Sequence, residues 1–110
     1  MPTPVPALVK GTLDLLILRT LALQPLHGAA VADRIFQTTR GAFQIKAGSL
    51  FPALHRLEQD GWITGSWDVT SGGHRVKAYT VTPAGRRHLS AERATWERVV
   101  SAMSLVLESE

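Results

Sequence analysis

The stretch Ala47-Gly48-Ser49-Leu50-Phe51-Pro52-Ala53-Leu54-His55-Arg56-Leu57-Glu58-Gln59-Asp60-Gly61-Trp62-Ile63 decides the fold of this chain. Set on a helix, Leu50, Ala53, Leu54 and Leu57 recur at i, i+3, i+4 and i+7 and make one apolar stripe. The opposite face carries Gly48, Pro52, His55, Arg56 and Gln59, small residues first and hydrogen-bond donors after them. Such a face can approach another surface closely and still bond to it, which is what a helix laid in a DNA groove requires. An amphipathic surface helix without a ligand would show the same stripe, so the flanking sequence has to decide. Local rules place Pro52 in the first turn with Ser49 as N-cap. A start near Ala47 also fits, at the loss of one backbone hydrogen bond at Pro52.

Toward the C-terminus, Gly61 stops the helix and the period changes. Ile63 to Val69 and Arg75 to Val81 are rich in Trp, Val, Ile, Thr and Tyr and flank Thr70-Ser71-Gly72-Gly73-His74. The Ser-Gly-Gly tract supplies a turn with positive φ, so the pair is predicted to be a β-hairpin. Arg75 and Lys77, two apart, point to one side of the second strand. Two isolated basic residues on a strand are commonly just solvated, but these follow a glycine-rich tip and come directly after the helix in question. Thr82-Pro83 then opens a helix, threonine at the N-cap and proline at the first position. No breaker interrupts it before Leu107. Its apolar stripe is Leu89, Trp96, Val99, Val100, Met103, Val106 and Leu107, and at about 26 residues it would run roughly 39 Å.

Toward the N-terminus, Ala42 to Ile45 is an extended linker with Phe43 and Ile45 on the same side. Before it, Thr39-Arg40-Gly41 ends a helix that runs from His27-Gly28 to about Thr38, with Val31 and Ile35 facing inward. An earlier helix, Lys10 to Leu23, stops ahead of Pro25. One of its stripes is Leu13, Leu16, Ile17 and Leu21; the other is Gly11, Leu15, Leu18 and Ala22. A helix apolar on two sides is covered on two sides. With the long terminal helix, this predicts a homodimer whose interface draws on Leu15, Leu18, Leu89, Trp96, Val99, Val100, Met103, Val106 and Leu107. The predicted class is mainly α with a small β-hairpin (α+β), a winged helix-turn-helix plus a long C-terminal dimerisation helix. Residues 1–9, with three prolines, read as a flexible arm, 10–82 as the winged domain and 83–110 as the dimerisation helix.

Composition narrows the function. The 110 residues contain no cysteine, so disulfides and cysteine-based zinc sites are excluded. The four histidines are scattered, and no cofactor or metal is expected. No apolar run is long enough to cross a bilayer and no signal peptide opens the chain, so a cytoplasmic protein with no membrane partner is expected. The net charge is +3, and its distribution says more than its sum. Residues 34–87 carry eight Lys/Arg against three acids, while the remainder sums to −2. The middle of the chain is the part suited to a polyanion. No nucleophile–base pair, phosphate-binding loop or pair of carboxylates is recognisable, so an enzyme is not expected.

Four segments carry a family resemblance: Lys10-Gly11-Thr12-Leu13-Asp14-Leu15-Leu16-Ile17-Leu18, Leu26-His27-Gly28, Gly48 to Ile63, and Arg75-Val76-Lys77-Ala78-Tyr79-Thr80-Val81-Thr82-Pro83-Ala84-Gly85. Taken in order they resemble the PadR family of bacterial transcriptional regulators, in its short form with one terminal helix. The resemblance implies a dimeric repressor on a pseudo-palindromic double-stranded DNA operator, the last helix of each subunit packing against the first helix of the other. It places Ser49, Phe51, Pro52, His55 and Arg56 on the DNA-facing helix, Arg75 and Lys77 on a basic wing, and Lys10 near the start of the first helix. Ala29 and Phe51 stand where the family often has tyrosine, and His74 and Ala78 replace a basic and an aromatic wing residue. Some short members also bind flat aromatic effectors between tryptophans at the dimer centre, and by that resemblance Leu15, Leu18, Trp96 and Val100 could line an effector site here. A tryptophan that simply fills the dimer core would be the plainer role for Trp96. The rival from another class is a winged helix that contacts proteins and not DNA.

Overall fold

Seven elements follow one another in the computed structural model, which describes residues 11–109. They are α1 (Thr12–Leu23), β1 (Leu26–His27), α2 (Gly28–Thr38), α3 (Ala47–Gln59), β2 (Ile63–Val69), β3 (Arg75–Val81) and α4 (Pro83–Leu107). The expected arm, residues 1–9, lies outside the described residues. β2 and β3 form the predicted antiparallel hairpin, with Ile63 opposite Val81 at its root and Val69 opposite Arg75 at its tip. β1 was not expected. It pairs antiparallel with β3, Leu26 opposite Tyr79, so β3 is the central strand of a three-stranded sheet.

The core is a single cluster: Ile17, Leu18 and Leu21 from α1, Val31 and Ile35 from α2, Ile45 from the linker, Leu50, Ala53, Leu54 and Leu57 from α3, Ile63, Tyr79 and Val81 from the sheet, and Leu89 from α4. The α3 stripe is thus the buried side of that helix, as its spacing predicts. The helix begins at Ala47, the earlier of the two starts the sequence allows, and Ser49 is not its N-cap. Lys46 is the N-cap, without a side-chain hydrogen bond, and its carbonyl accepts from the Ser49 and Leu50 amides at 3.0 and 2.9 Å. Pro52 therefore lies inside the helix and has no amide to give the Gly48 carbonyl. Burial of Leu50, Ala53, Leu54 and Leu57 outweighs that one missing bond.

At its other end α3 closes with a Schellman motif. Gly61, at φ 79°, donates to the Glu58 carbonyl at 3.1 Å, and Trp62 donates to the Leu57 carbonyl at 3.0 Å. The Trp62 carbonyl then receives the Thr82 amide at 3.1 Å. The Thr82 hydroxyl accepts from the Gly85 amide at 2.9 Å, the expected N-cap bond. It also donates back to the Gly61 carbonyl at 2.6 Å. One threonine thereby joins the end of α3 to the start of α4. The Trp62 ring adds a stack on His88, centroids 4.3 Å apart.

Two expectations about α1 and α4 are corrected here. Leu18, expected on a spare face of α1, is 0% exposed within its own subunit's core. Leu89, expected on the free stripe of α4, is 8% exposed in that same core. The reason is that α4 folds back on α1 over its first two turns, so α1 is covered on its second side by its own chain. Leu89 is the last buried residue of α4; beyond it Arg93 and Trp96 only border a cleft against α1 and α2. Trp96, Val99, Val100, Met103, Leu105, Val106 and Leu107 are all exposed large apolar side chains.

Candidate nucleic-acid interface

The outer face of α3 consists of residues that the core does not use. Ser49, Phe51, Pro52, His55 and Arg56 are all exposed. Phe51 lies at the edge of this face, one ring edge so close to α2 that a methyl group on Gly28 would stand 3.1 Å from its Cε1. That glycine lets α2 and α3 approach. The hairpin stands beside α3 and turns through Thr70 to His74. There the Thr70 amide donates to the His74 carbonyl at 2.8 Å, and Gly73 takes φ 82°. Arg75 and Lys77 lie on one face of β3, as the alternation predicts. Both sit over Trp67 on β2, the Arg75 guanidinium 4.7 Å and the Lys77 ammonium 5.8 Å from the ring centroid. Trp67 is itself exposed. Nothing in the local sequence sets Trp67 apart from the other strand residues, although its cross-strand position opposite Lys77 follows from the hairpin register.

Two of the cations are already partnered. The Arg56 guanidinium bonds the Asp14 carboxylate on α1, and its side chain remains 53% exposed. The Lys77 ammonium donates to Glu58 Oε1 on α3 at 2.7 Å, with the two side chains only 27% and 29% exposed. The hydrogen bond to Glu58 raises the Lys77 pKa above the ordinary lysine value, opposed by a smaller lowering from desolvation. A raised cationic pKa means that the pair's contribution is complete below the ordinary lysine pKa and is lost only as pH rises through the raised value. Lys77 therefore keeps its charge throughout the neutral range. Lys10, the remaining cation implied by the resemblance, lies outside the described residues.

A second feature is a cleft of about 500 Å³ between α1, α2 and α4. Its walls include Leu15, Leu16, Leu23, Ile35, Leu89 and Trp96, and Arg19, Arg34 and Arg93 also line it. Of the residues expected around an effector, Leu15 and Trp96 line this cleft. Leu18 is sealed in the core, and Val100 lies one turn of α4 beyond the lining residues. Among the described residues, no helix is long and apolar enough to cross a membrane.

A three-helix domain with α3 outermost and a two-stranded wing beside it is a winged helix-turn-helix. The chain belongs to the transcriptional regulator PadR-like family, whose model matches residues 17–91. It is 33% identical over 90 residues to a transcriptional regulator of Mycobacterium tuberculosis, covering 82% of this chain and 80% of that one. It is also similar to a PadR family transcriptional regulator from Eggerthella lenta, at 29% identity and TM-score 0.79, covering 94% of this chain and 88% of the other. A transcriptional regulator from Clostridium thermocellum, 24% identical, shares the fold with a TM-score of 0.82 over 91% of this chain and 95% of that one.

Proposed function

We propose that this regulator binds double-stranded DNA as a homodimer and represses transcription from a pseudo-palindromic operator. The observation that carries the reading is the outer face of α3: Ser49, Pro52, His55 and Arg56 are exposed together, beside a hairpin that presents Arg75. The α3 face would read base edges in the major groove, and the wing would reach the flanking phosphates. Residues 10–82 act as the DNA-binding unit and 83–110 as the dimerisation helix, the exposed stripe from Trp96 to Leu107 being the surface that a second subunit covers. Acting on chromosomal DNA places the protein in the cytoplasm. No catalytic step is part of this reading.

A gel shift on the promoter of the protein's own operon tests it, with affinity falling steeply as salt rises. Arg75→Ala is expected to reduce the slope of log affinity against log salt by about 1 per wing, hence roughly 2 for a two-winged dimer. Two internally paired cations, Arg56 and Lys77, favour the rival reading of a protein-contacting winged helix, since they lower the free positive charge. Absence of any shift in dilute buffer would decide for that rival.

The cleft supports a further element of the proposal, relief of repression by a hydrophobic or aromatic small molecule. Its apolar walls would take the body of such a ligand, and Arg19 and Arg34 favour one that carries an acidic group, Arg93 being paired with Glu97 at 3.1 Å. A planar aromatic acid bound there should quench the fluorescence of Trp96, and Trp96→Phe should abolish the response. No quenching across a chemically varied set of such acids would remove the effector from the proposal.

A further inference from the structure

The wing and α3 are separate elements, and something must set the angle between them. Glu58 comes from the last turn of α3 and Lys77 from the middle of β3. Their side chains meet at 2.7 Å across the gap between helix and sheet. The path of the lysine is equally specific. Its stem crosses directly over Gly65 on β2, where an added methyl group would overlap Lys77 Cε and stand 3.2 Å from Glu58 Oε2. Its ammonium lies 5.5 Å from the centroid of the Tyr79 ring, which is itself part of the core. A lysine available to a phosphate is ordinarily an extended, solvated side chain with no fixed partner. Lys77 is laid down over a glycine, beside a core aromatic, with its charge on a neighbouring element. Arg56 is the contrast: more than half exposed, it can exchange Asp14 for a phosphate without leaving a cavity behind.

We propose that the Lys77–Glu58 ion pair is a strut that holds the wing at a fixed angle to α3, and that Lys77 is a positioning residue and not a phosphate contact. The inference rests on the DNA-binding reading above and alters one of its residue assignments. An ion pair of this exposure adds little to global stability. Its effect is on geometry: with the strut in place the wing meets the duplex only in the register that α3 sets.

The sign of one substitution separates the two roles. If Lys77 met a phosphate, Glu58→Gln would free it and remove a nearby negative charge, and affinity would rise. If the pair is a strut, Glu58→Gln and Lys77→Met should both weaken binding, by about three- to thirtyfold, as expected for a residue that acts without touching the ligand. The loss should fall on duplexes selected from a random pool by the wild-type protein. Affinity for a mixed-sequence duplex should barely change. The salt slope should also hold for Lys77→Met, where loss of a phosphate contact would lower it by about 1 per subunit. The charge swap Glu58→Lys with Lys77→Glu should recover most of the lost affinity. Stronger binding by Glu58→Gln, or a reduced slope for Lys77→Met, overturns the proposal.

Amide exchange across residues 65–77 of the free protein reads the strut with no DNA present. Faster exchange in both single variants supports it, and unchanged exchange overturns it. A wild-type protein that binds no duplex in dilute buffer would remove the DNA-binding reading instead, and the exchange result would still decide whether the pair holds the wing.

Discussion

Replacing Gly85 with alanine should unfold the domain or lower its melting temperature by more than about 12 °C. Gly85 sits in the first turn of α4, where alanine would ordinarily help by up to about 1 kcal/mol. Here a methyl group would overlap the Trp62 carbonyl oxygen and stand 2.8 Å from the carbonyl carbon and 2.9 Å from Val81 Cγ1. The first two of those atoms are backbone, and that backbone is fixed. The Trp62 carbonyl accepts the Thr82 amide, and the neighbouring Gly61 carbonyl accepts the Thr82 hydroxyl. Relief would have to come from moving all of α4 away from the Schellman turn, which breaks the threonine clasp and the Trp62–His88 stack together. Overpacking alone costs about 1–3 kcal/mol. With the clasp lost as well, roughly 3 kcal/mol or more is expected, at about 4–8 °C for each kcal/mol in a domain near this size. Gly48→Ala is the control. Gly48 is also helical but has open space around it, and alanine there should raise the melting temperature slightly. A Gly85→Ala protein as stable as the parent would show that the α3–α4 junction is looser than its geometry.

The second large effect concerns assembly. Val100→Glu should turn a dimer into a monomer at micromolar concentration, with the dissociation constant raised by about four orders of magnitude or more. Val100 lies in the exposed apolar stripe of α4, between Trp96 and Met103. In a two-fold assembly each substitution appears twice, and each buries a carboxylate at an effective cost of several kcal/mol unless a partner is found. Arg98→Gln, on the opposite side of the same helix, should leave the dimer intact. Sedimentation equilibrium reads both. Operator affinity should fall as dimerisation is lost, since two half-sites bound by one particle gain an effective concentration that separate monomers lack. A wild-type protein that sediments as a single subunit would remove the dimer from the proposal.

What could be read in the sequence, and what could not, divides by the range of the interaction involved. The hairpin strands, Ile63–Val69 and Arg75–Val81, and the Thr82-Pro83 helix start coincide with their observed positions. In each case the determinant is local: β-branched and aromatic runs around a glycine turn, and a threonine cap followed by proline. The strand β1 was invisible because two residues have no periodicity, and Leu26 and His27 are extended only because β3 offers an edge to them. The start of α3 followed tertiary burial of the Leu50–Leu57 stripe over the local preference of Pro52. Leu18 and Leu89 show a related limit. A helical wheel gives the direction of a side chain but not whether the neighbour in that direction belongs to the same subunit. The same limit applied to the candidate DNA-binding face. The ion-pair partners of Arg56 and Lys77 were not foreseen because those acids, Asp14 and Glu58, lie 42 and 19 residues away in the chain.

The shallow reach of β1 has a consequence for how the hairpin can change. β1 ends opposite Tyr79 and Ala78, so the sheet is three strands wide at its base and two strands wide from Lys77 outward. The base has strand partners on both edges of β3; among the described residues the outer half is a cantilever in which β2 and β3 pair only with each other. Residues can be added to or removed from the Thr70–His74 bend without disturbing any buried atom, and doing so alters how far the arm extends while its stance on the shoulder stays constant.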